Sequence, residues 1–306
     1  MKKFKILSFD GGGIKGALSV EILSRIIAKY PNFLNEIDLF AGTSTGSIIA
    51  ALLAKGVPIE ELEKLYSREV AGQIFSNYNF NIIKPKFNNT LLKRFISNYF
   101  DDKFKINDFK KYIFIPAFYL GDEHTKSWKP VFFNNLSKNN TSYILARDAI
   151  LASCAAPTYF PSYKNYIDGG VVANSPTAIS IATTLSSLPK YRKEDILLLS
   201  IGTGDSPERI IGKTHKWGIL QWSFHPFAKM KSPLLALLMD GMSNLEDLYC
   251  KEFLKENYFR INPQVPKFID LDDYKLIHYL KNIGKNCDLS NLIKYLNNFY
   301  FKWIFK

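Results

Sequence analysis

The chain has 306 residues, 47% hydrophobic and 22% charged, with a formal net charge of +12 at neutral pH. Those values exclude a disordered chain, a fibrous repeat and a disulfide-stapled miniprotein; they leave one large globular domain, or one with a smaller appendage. Cys154, Cys250 and Cys287 form no C-x-x-C pair and are odd in number, which argues against a zinc site or a disulfide framework.

The opening residues are basic and then briefly apolar, too short for a secretory signal. No run reaches the length of a membrane span. A cytoplasmic or peripheral protein is expected, with a secreted effector still open. Residues 1–75 carry 9 basic and 8 acidic side chains, whereas 76–146 carry 11 and 5, and 213–306 carry 14 and 9. The positive excess invites an anionic partner; a lysine-biased composition explains it equally well.

Residues 5–9 form a short β run ending at Asp10-Gly11-Gly12-Gly13-Ile14-Lys15-Gly16. Leu18, Ile22, Leu23, Ile26 and Ile27 then recur at helical spacing until Pro31. A strand over 39–41 stops at Gly42, and a helix over 47–55 follows Thr43-Ser44-Thr45-Gly46. Pro58 and the acids behind it predict a helix to about residue 70. A helix is expected over 90–99, strands over 112–120 and 131–133, and a helix over 145–155 stopped by Pro157. A short strand runs into Asp168-Gly169-Gly170, and a helix covers 178–188. Residues 196–201 are continuously apolar, as in a parallel strand buried on both faces. Beyond 205 come an aromatic stretch over 217–227, a long helix over 233–254 and two short helices within 271–306. This order predicts a three-layer α/β/α sandwich with a mainly parallel central sheet over 1–204. A mostly helical C-terminal part, 205–306, packs on it without a firm boundary.

In such sheets function gathers at the carboxyl ends of strands, where Asp10, Ser44, Asp168 and Thr203 all fall. Gly42-x-Ser44-x-Gly46 between strand and helix has the form of a nucleophile elbow, with the helix dipole aimed at any oxyanion there. It also suits a glycine turn with an N-capping serine. Gly11-x-Gly13-x-x-Gly16 has two readings as well. One is a dinucleotide loop with Glu36 or Asp38 as the ribose acid, making an NAD(P)-dependent Rossmann oxidoreductase. The other is an oxyanion hole of Gly11, Gly12 and Gly13 N–H groups. The Gly-Thr-Ser-Thr-Gly ending of the second strand favours the hydrolase. Lys15 then fixes the loop, adds positive potential or stands solvated. None of His124, His215, His225 or His278 sits where a triad histidine would. Asp168 ends a strand, and a shielded carboxylate with a raised pKa can take a serine proton directly; an Asx turn is its structural alternative.

Asp-Gly-Gly-Gly-Ile-Lys-Gly (10–16), Gly-Thr-Ser-Thr-Gly (42–46), Ala-Ala-Pro-Thr-Tyr-Phe-Pro (155–161) and Asp-Gly-Gly (168–170) resemble, in order and approximate spacing, the motifs of patatin-like phospholipases. The resemblance covers about residues 4–204. It implies a Ser–Asp dyad with Ser44 as nucleophile and Asp168 as general base, and an oxyanion hole in Gly11, Gly12 and Gly13. Lys15, Gly16, Gly42, Gly46, Gly169 and Gly170 would support them. It further implies hydrolysis of membrane glycerophospholipid acyl esters through an acyl-enzyme, without metal or cofactor. Lys15 stands where many members carry Arg and Gly170 where some carry Ala, while Asn174 and Pro176 also fit. The partners implied are a phospholipid membrane surface, anionic by the charge argument, and an activating protein or nucleotide as in some relatives; no nucleic acid is expected. Basic residues 76–146 and the aromatic, Lys-bearing C-terminus are the candidates for docking, unless those aromatics pack as core. A catalytically silent lipid-binding protein is the non-enzyme alternative.

Overall fold

The computed structural model describes residues 2–76, 78–79, 83–137, 140–206, 210, 213–223 and 232–301. In chain order its strands are β1 (Phe4–Phe9), β2 (Leu39–Gly42), β3 (Tyr112–Tyr119), β4 (Lys129–Asn134), β5 (Tyr166–Asp168), β6 (Ile196–Ile201) and β7 (Tyr258–Ile261). The first six helices are α1 (Gly16–Lys29), α2 (Thr45–Lys55), α3 (Ile59–Leu65), α4 (Arg68–Ile74), α5 (Thr90–Ser97) and α6 (Ala146–Ser153). They are followed by α7 (Gly170–Ala173), α8 (Thr177–Ser187), α9 (Ile219–Ser223), α10 (Pro233–Leu254), α11 (Ile277–Asn286) and α12 (Ser290–Phe299).

All seven strands join one sheet in the order β4-β3-β2-β1-β6-β7, with β5 on β3. The five strands β1, β2, β3, β6 and β7 run parallel; β4 and β5 are antiparallel to β3. Alternate residues of β1 feed opposite cores. Leu7 and Phe9 pack with α1, α2, α6, α11 and α12, while Phe4 and Ile6 pack with α8 and the end of α10. With both faces covered, β1 and β6 are buried at every position, hence their continuous apolar sequence. The sandwich is the one expected.

The register of β3 sets up the site. β2 pairs with β3 only as far as Ala41–Phe114. Beyond that, β5 takes the vacated edge, with Asp168 opposite Ala117. The segment after β2 and the end of β5 are thereby brought to one place.

Two details differ from the sequence expectations. The helix over 58–70 is two helices, because Ser67 Oγ accepts the Val70 N–H at 3.2 Å and starts α4 afresh. Residues 205–306 are more than a helical extension: β7 extends the central sheet through β6, with Arg260 opposite Ser200. The four residues of β7 are too few, and too interrupted by that arginine, to announce a strand.

The C-terminal aromatics pack inward. Tyr300 and Phe301 are buried, against Phe33 and Tyr30; residues 302–306, like 224–227 of the aromatic stretch, lie outside the described residues. Within 76–146, Phe100 and Phe109 are buried in a ring cluster with Phe104. Core packing therefore accounts for much of the aromatic content assigned to docking. Among the described residues no helix is long and apolar enough to cross a membrane.

Candidate active site

The turn after β2 is drawn tight by its two glycines. A Cβ on Gly42 would lie 2.0 Å from Gly46 O, and one on Gly46 would lie 2.3 Å from Phe9 O. Strand, helix and β1 approach more closely than any side chain permits. Between them Ser44 adopts φ 53°, ψ −123°, a left-handed conformation costing a non-glycine residue on the order of 1–3 kcal/mol. The surroundings hold it there. Its N–H donates to Ser153 Oγ at 3.0 Å, and its carbonyl accepts from Ser47 Oγ at 2.6 Å. On either side, Thr43 Oγ1 donates to Ala173 O and Thr45 Oγ1 shares a 2.5 Å hydrogen bond with the buried Tyr66 hydroxyl.

Asp168, 1% exposed, comes from the end of β5. Its Oδ1 accepts the Gly170 N–H at 2.7 Å, while Oδ2 is buried with no donor besides the neighbouring Ser44 side chain among the described residues. Burial pushes the Asp168 carboxyl up to about 7, against the Gly170 N–H and the neighbouring Ser44 side chain, which both favour the ionised form. A carboxyl so placed changes charge near neutrality. Gly169 and Gly170 let this turn lie close to β3 and α10: Cβ atoms there would meet Pro116 O at 2.3 Å and Met239 Cε at 2.7 Å.

The glycine loop lies opposite, and its donors are fewer than the sequence suggested. The Gly11 N–H is spent on Asn174 O at 2.9 Å. Gly11 therefore leaves the expected donor set, and the reason is a backbone contact from across the sheet. Gly12 and Gly13 N–H groups donate to no acceptor among the described residues. Gly13 has φ 59° and no room for a side chain, since a Cβ would lie 2.2 Å from Leu271 O. That same carbonyl accepts the Ile14 N–H at 3.0 Å and so braces the loop. Gly16 abuts the elbow helix, where a Cβ would lie 2.6 Å from Thr45 Oγ1. Lys15 is half-buried and makes no ion pair among the described residues.

Asp10 belongs to the scaffold. Its carboxylate takes a bidentate grip from Arg260 Nη1 at 3.2 Å and Nη2 at 2.5 Å, and Arg260 also donates to Ser200 Oγ. Both charges are buried. Arg260, Tyr66, Ser153 and Leu271 escaped the sequence reading; only the lone arginine within an apolar run offered a signal.

The ribose acids of the dinucleotide reading are at the wrong end of the sheet. Asp38 Oδ2 accepts the Lys5 N–H at 2.9 Å and Glu36 pairs with Lys5 Nζ at 2.6 Å, beside the amino ends of β1 and β2. Neither can reach a ligand at the glycine loop. No described histidine lines the clefts beside Ser44; His225 lies outside the described residues.

Ser44 opens into an apolar cleft lined by Ile48, Leu65, Ala71, Leu92 and Phe95 among others. A serine hydroxyl and the Gly13 loop thus border a hydrocarbon-lined space, with a buried carboxyl beside the serine, an arrangement suited to acyl transfer from an apolar ester.

Comparison with known proteins agrees. The family model "Patatin-like phospholipase" matches residues 7–181. The chain belongs to the patatin-like phospholipase family. It is 32% identical over 297 residues to "Protein teg" of Priestia megaterium, covering 89% of this chain and 91% of that protein. A "Putative sporulation hydrolase CotR" of Bacillus subtilis is 30% identical over 297 residues, with 89% and 91% covered. A "cGAMP-activated phospholipase" of Vibrio cholerae is 28% identical over 307 residues, with 88% and 81% covered. Membership supports lipid acyl hydrolysis as the activity, and the patatin-like sandwich is the fold that carries it.

Proposed function

We propose that the protein is a phospholipase A-type hydrolase that cleaves glycerophospholipid acyl esters through a Ser44–Asp168 dyad. The observation that carries this reading is a buried Asp168 carboxyl, its Oδ2 without another donor among the described residues, beside the side chain of a serine held at a strained elbow. Ionised Asp168 takes the proton of Ser44 Oγ as that oxygen attacks the ester carbonyl. The negative charge that develops on the carbonyl oxygen falls to the Gly12 and Gly13 N–H groups; one such donor is typically worth about 3–4 kcal/mol in the transition state. Collapse breaks the ester C–O bond, and Asp168 returns the proton to the departing lysolipid oxygen. Water then gives a proton to Asp168 and attacks the acyl-enzyme, and Ser44 recovers its proton as the fatty acid leaves. The acyl chain occupies the apolar cleft throughout.

Fatty-acid release from mixed liposomes tests this with wild type, Ser44→Ala and Asp168→Asn. Both variants are expected to lose at least a thousandfold in rate, as when a member of a catalytic pair is removed. Release at the wild-type rate by either would end the dyad assignment, and release by neither variant nor wild type would favour the silent lipid-binding alternative. Because two relatives bear the name cGAMP-activated phospholipase, the assay includes a cyclic dinucleotide arm and a cell-lysate arm. An anionic membrane as partner predicts vesicle binding that rises with anionic lipid and falls with salt.

A further inference from the structure

The glycine loop has two faces, and the chemistry above uses one. On the other side of the loop lies a second, polar cleft, lined by Gly12, Lys15, Asn174, Asp205, Asp240 and Arg260 among others. Tyr159 and Leu271 stand in the walls of both clefts. The polar cleft opens beyond the carboxyl ends of β1, β6 and β7, where Asp10, Thr203 and Asn262 face it. There the strand order departs from β1 in both directions, the place where α/β sheets hold ligands.

Its polar groups are set out in a particular order. Asn174 is nearest Ser44: a methyl carried on Gly11 would lie 2.3 Å from Asn174 Oδ1 and 3.4 Å from Ser44 Cβ. Asn174 is 5% exposed; its Nδ2 donates to Ser243 Oγ at 2.9 Å, and its Oδ1 has no hydrogen-bond partner among the described residues. A buried amide oxygen without a donor is costly, and a ligand hydroxyl would relieve it. Next comes Lys15, a half-buried cation without an ion pair among the described residues. Arg260, deeper, is already neutralised by Asp10. Beyond Lys15 and within its electrostatic reach is Asp240, which also feels Asp205; both acids are exposed at the rim.

Acceptor, cation, anions is the complement of glycerol hydroxyl, phosphate, amine. We propose that the polar cleft is the headgroup subsite for a zwitterionic glycerophospholipid. Asn174 Oδ1 accepts from the glycerol hydroxyl released when the ester C–O bond breaks, Lys15 holds the phosphoryl oxygens, and Asp240 and Asp205 face the amine. The acyl chain and headgroup of one lipid then straddle the glycine loop, with the scissile ester above Gly12 and Gly13. This assignment rests on the hydrolase reading of Ser44.

The test is binding, measured by calorimetric titration of the full-length Ser44→Ala protein with glycerophosphoethanolamine, glycerophosphoglycerol and inorganic phosphate. Glycerophosphoethanolamine is expected to bind most tightly. Adding Lys15→Met should weaken both diesters about tenfold, the loss expected for one charge-assisted contact. Adding Asp240→Asn should narrow the gap between the two diesters. Equal affinity for all three ligands, no binding by any of them, or indifference to Lys15→Met would overturn the subsite. Inorganic phosphate binding as tightly as the diesters would mark a free-phosphate site instead, and would equally overturn it. Diester binding by Ser44→Ala together with a wild type that releases no fatty acid in any arm of the liposome assay would count against the hydrolase reading alone.

Discussion

Asp168 stands opposite Ala117 on β3, three residues past Phe114, where β2 stops pairing on its way to Ser44. One strand therefore sets the position of both proposed catalytic residues, and the carboxyl it delivers is sealed from water. With burial holding the Asp168 carboxyl up to about 7, the base is protonated in mild acid. Hydrolysis of a short soluble ester is expected to rise about tenfold per pH unit below that value and to level off above it. A profile flat from about pH 5 upward would remove Asp168 as the base.

The same carboxyl burdens the fold. Its folded pKa is raised from 3.8 to about 7, so between those values the folded state keeps a proton that the unfolded state has lost. Stability contributed by this group falls as pH rises through that window and stays low above it. Asp168→Asn keeps an oxygen for the Gly170 N–H and removes the charge. Denaturant titration should find this variant more stable than wild type at about pH 8, by an amount on the order of a few kcal/mol, with the difference vanishing near pH 4.

Arg260 and Asp10 form a buried pair that joins β7 to the root of the glycine loop. Arg260→Met strands the Asp10 charge and should cost about 3–5 kcal/mol. Adding Asp10→Asn removes the stranded charge and should recover part of the loss. Urea melts of the two variants check this; a double variant no more stable than the single one would mean that the arginine acts through packing alone.

The apolar cleft should measure acyl length. Ala71 is buried in its wall. Ala71→Phe fills part of the cleft, and the ratio of activity on long-chain to short-chain esters should fall about tenfold, the scale on which an apolar pocket discriminates a few methylenes. An unchanged ratio would move the acyl chain elsewhere.

What was legible in the sequence was what is local. The elbow at Ser44 and the loop at Gly12 and Gly13 depend on glycines within a few residues of the groups they serve, and their spacing survives in the fold. The end of β5 could be read because Asp168 precedes two glycines. What could not be read depends on distant partners. Gly11 loses its N–H to the backbone of Asn174, β7 becomes a strand only because β6 offers an edge, and Leu271 braces Gly13 from beyond both. The break between α3 and α4 was written locally, in Ser67, but a helix pattern running through it hid the cap.

Arg260 and Leu271 secure the glycine loop from near the far end of the chain. Synthesis runs from the other end, so Ser44 and Asp168 emerge from the ribosome well before either brace. A growing chain, or one clipped after α10, carries the proposed nucleophile and base beside a glycine loop that lacks the Leu271 contact and the arginine on Asp10. The proposed chemistry is therefore expected to need the segment that holds Arg260 and Leu271 as much as the one that holds Ser44 and Asp168.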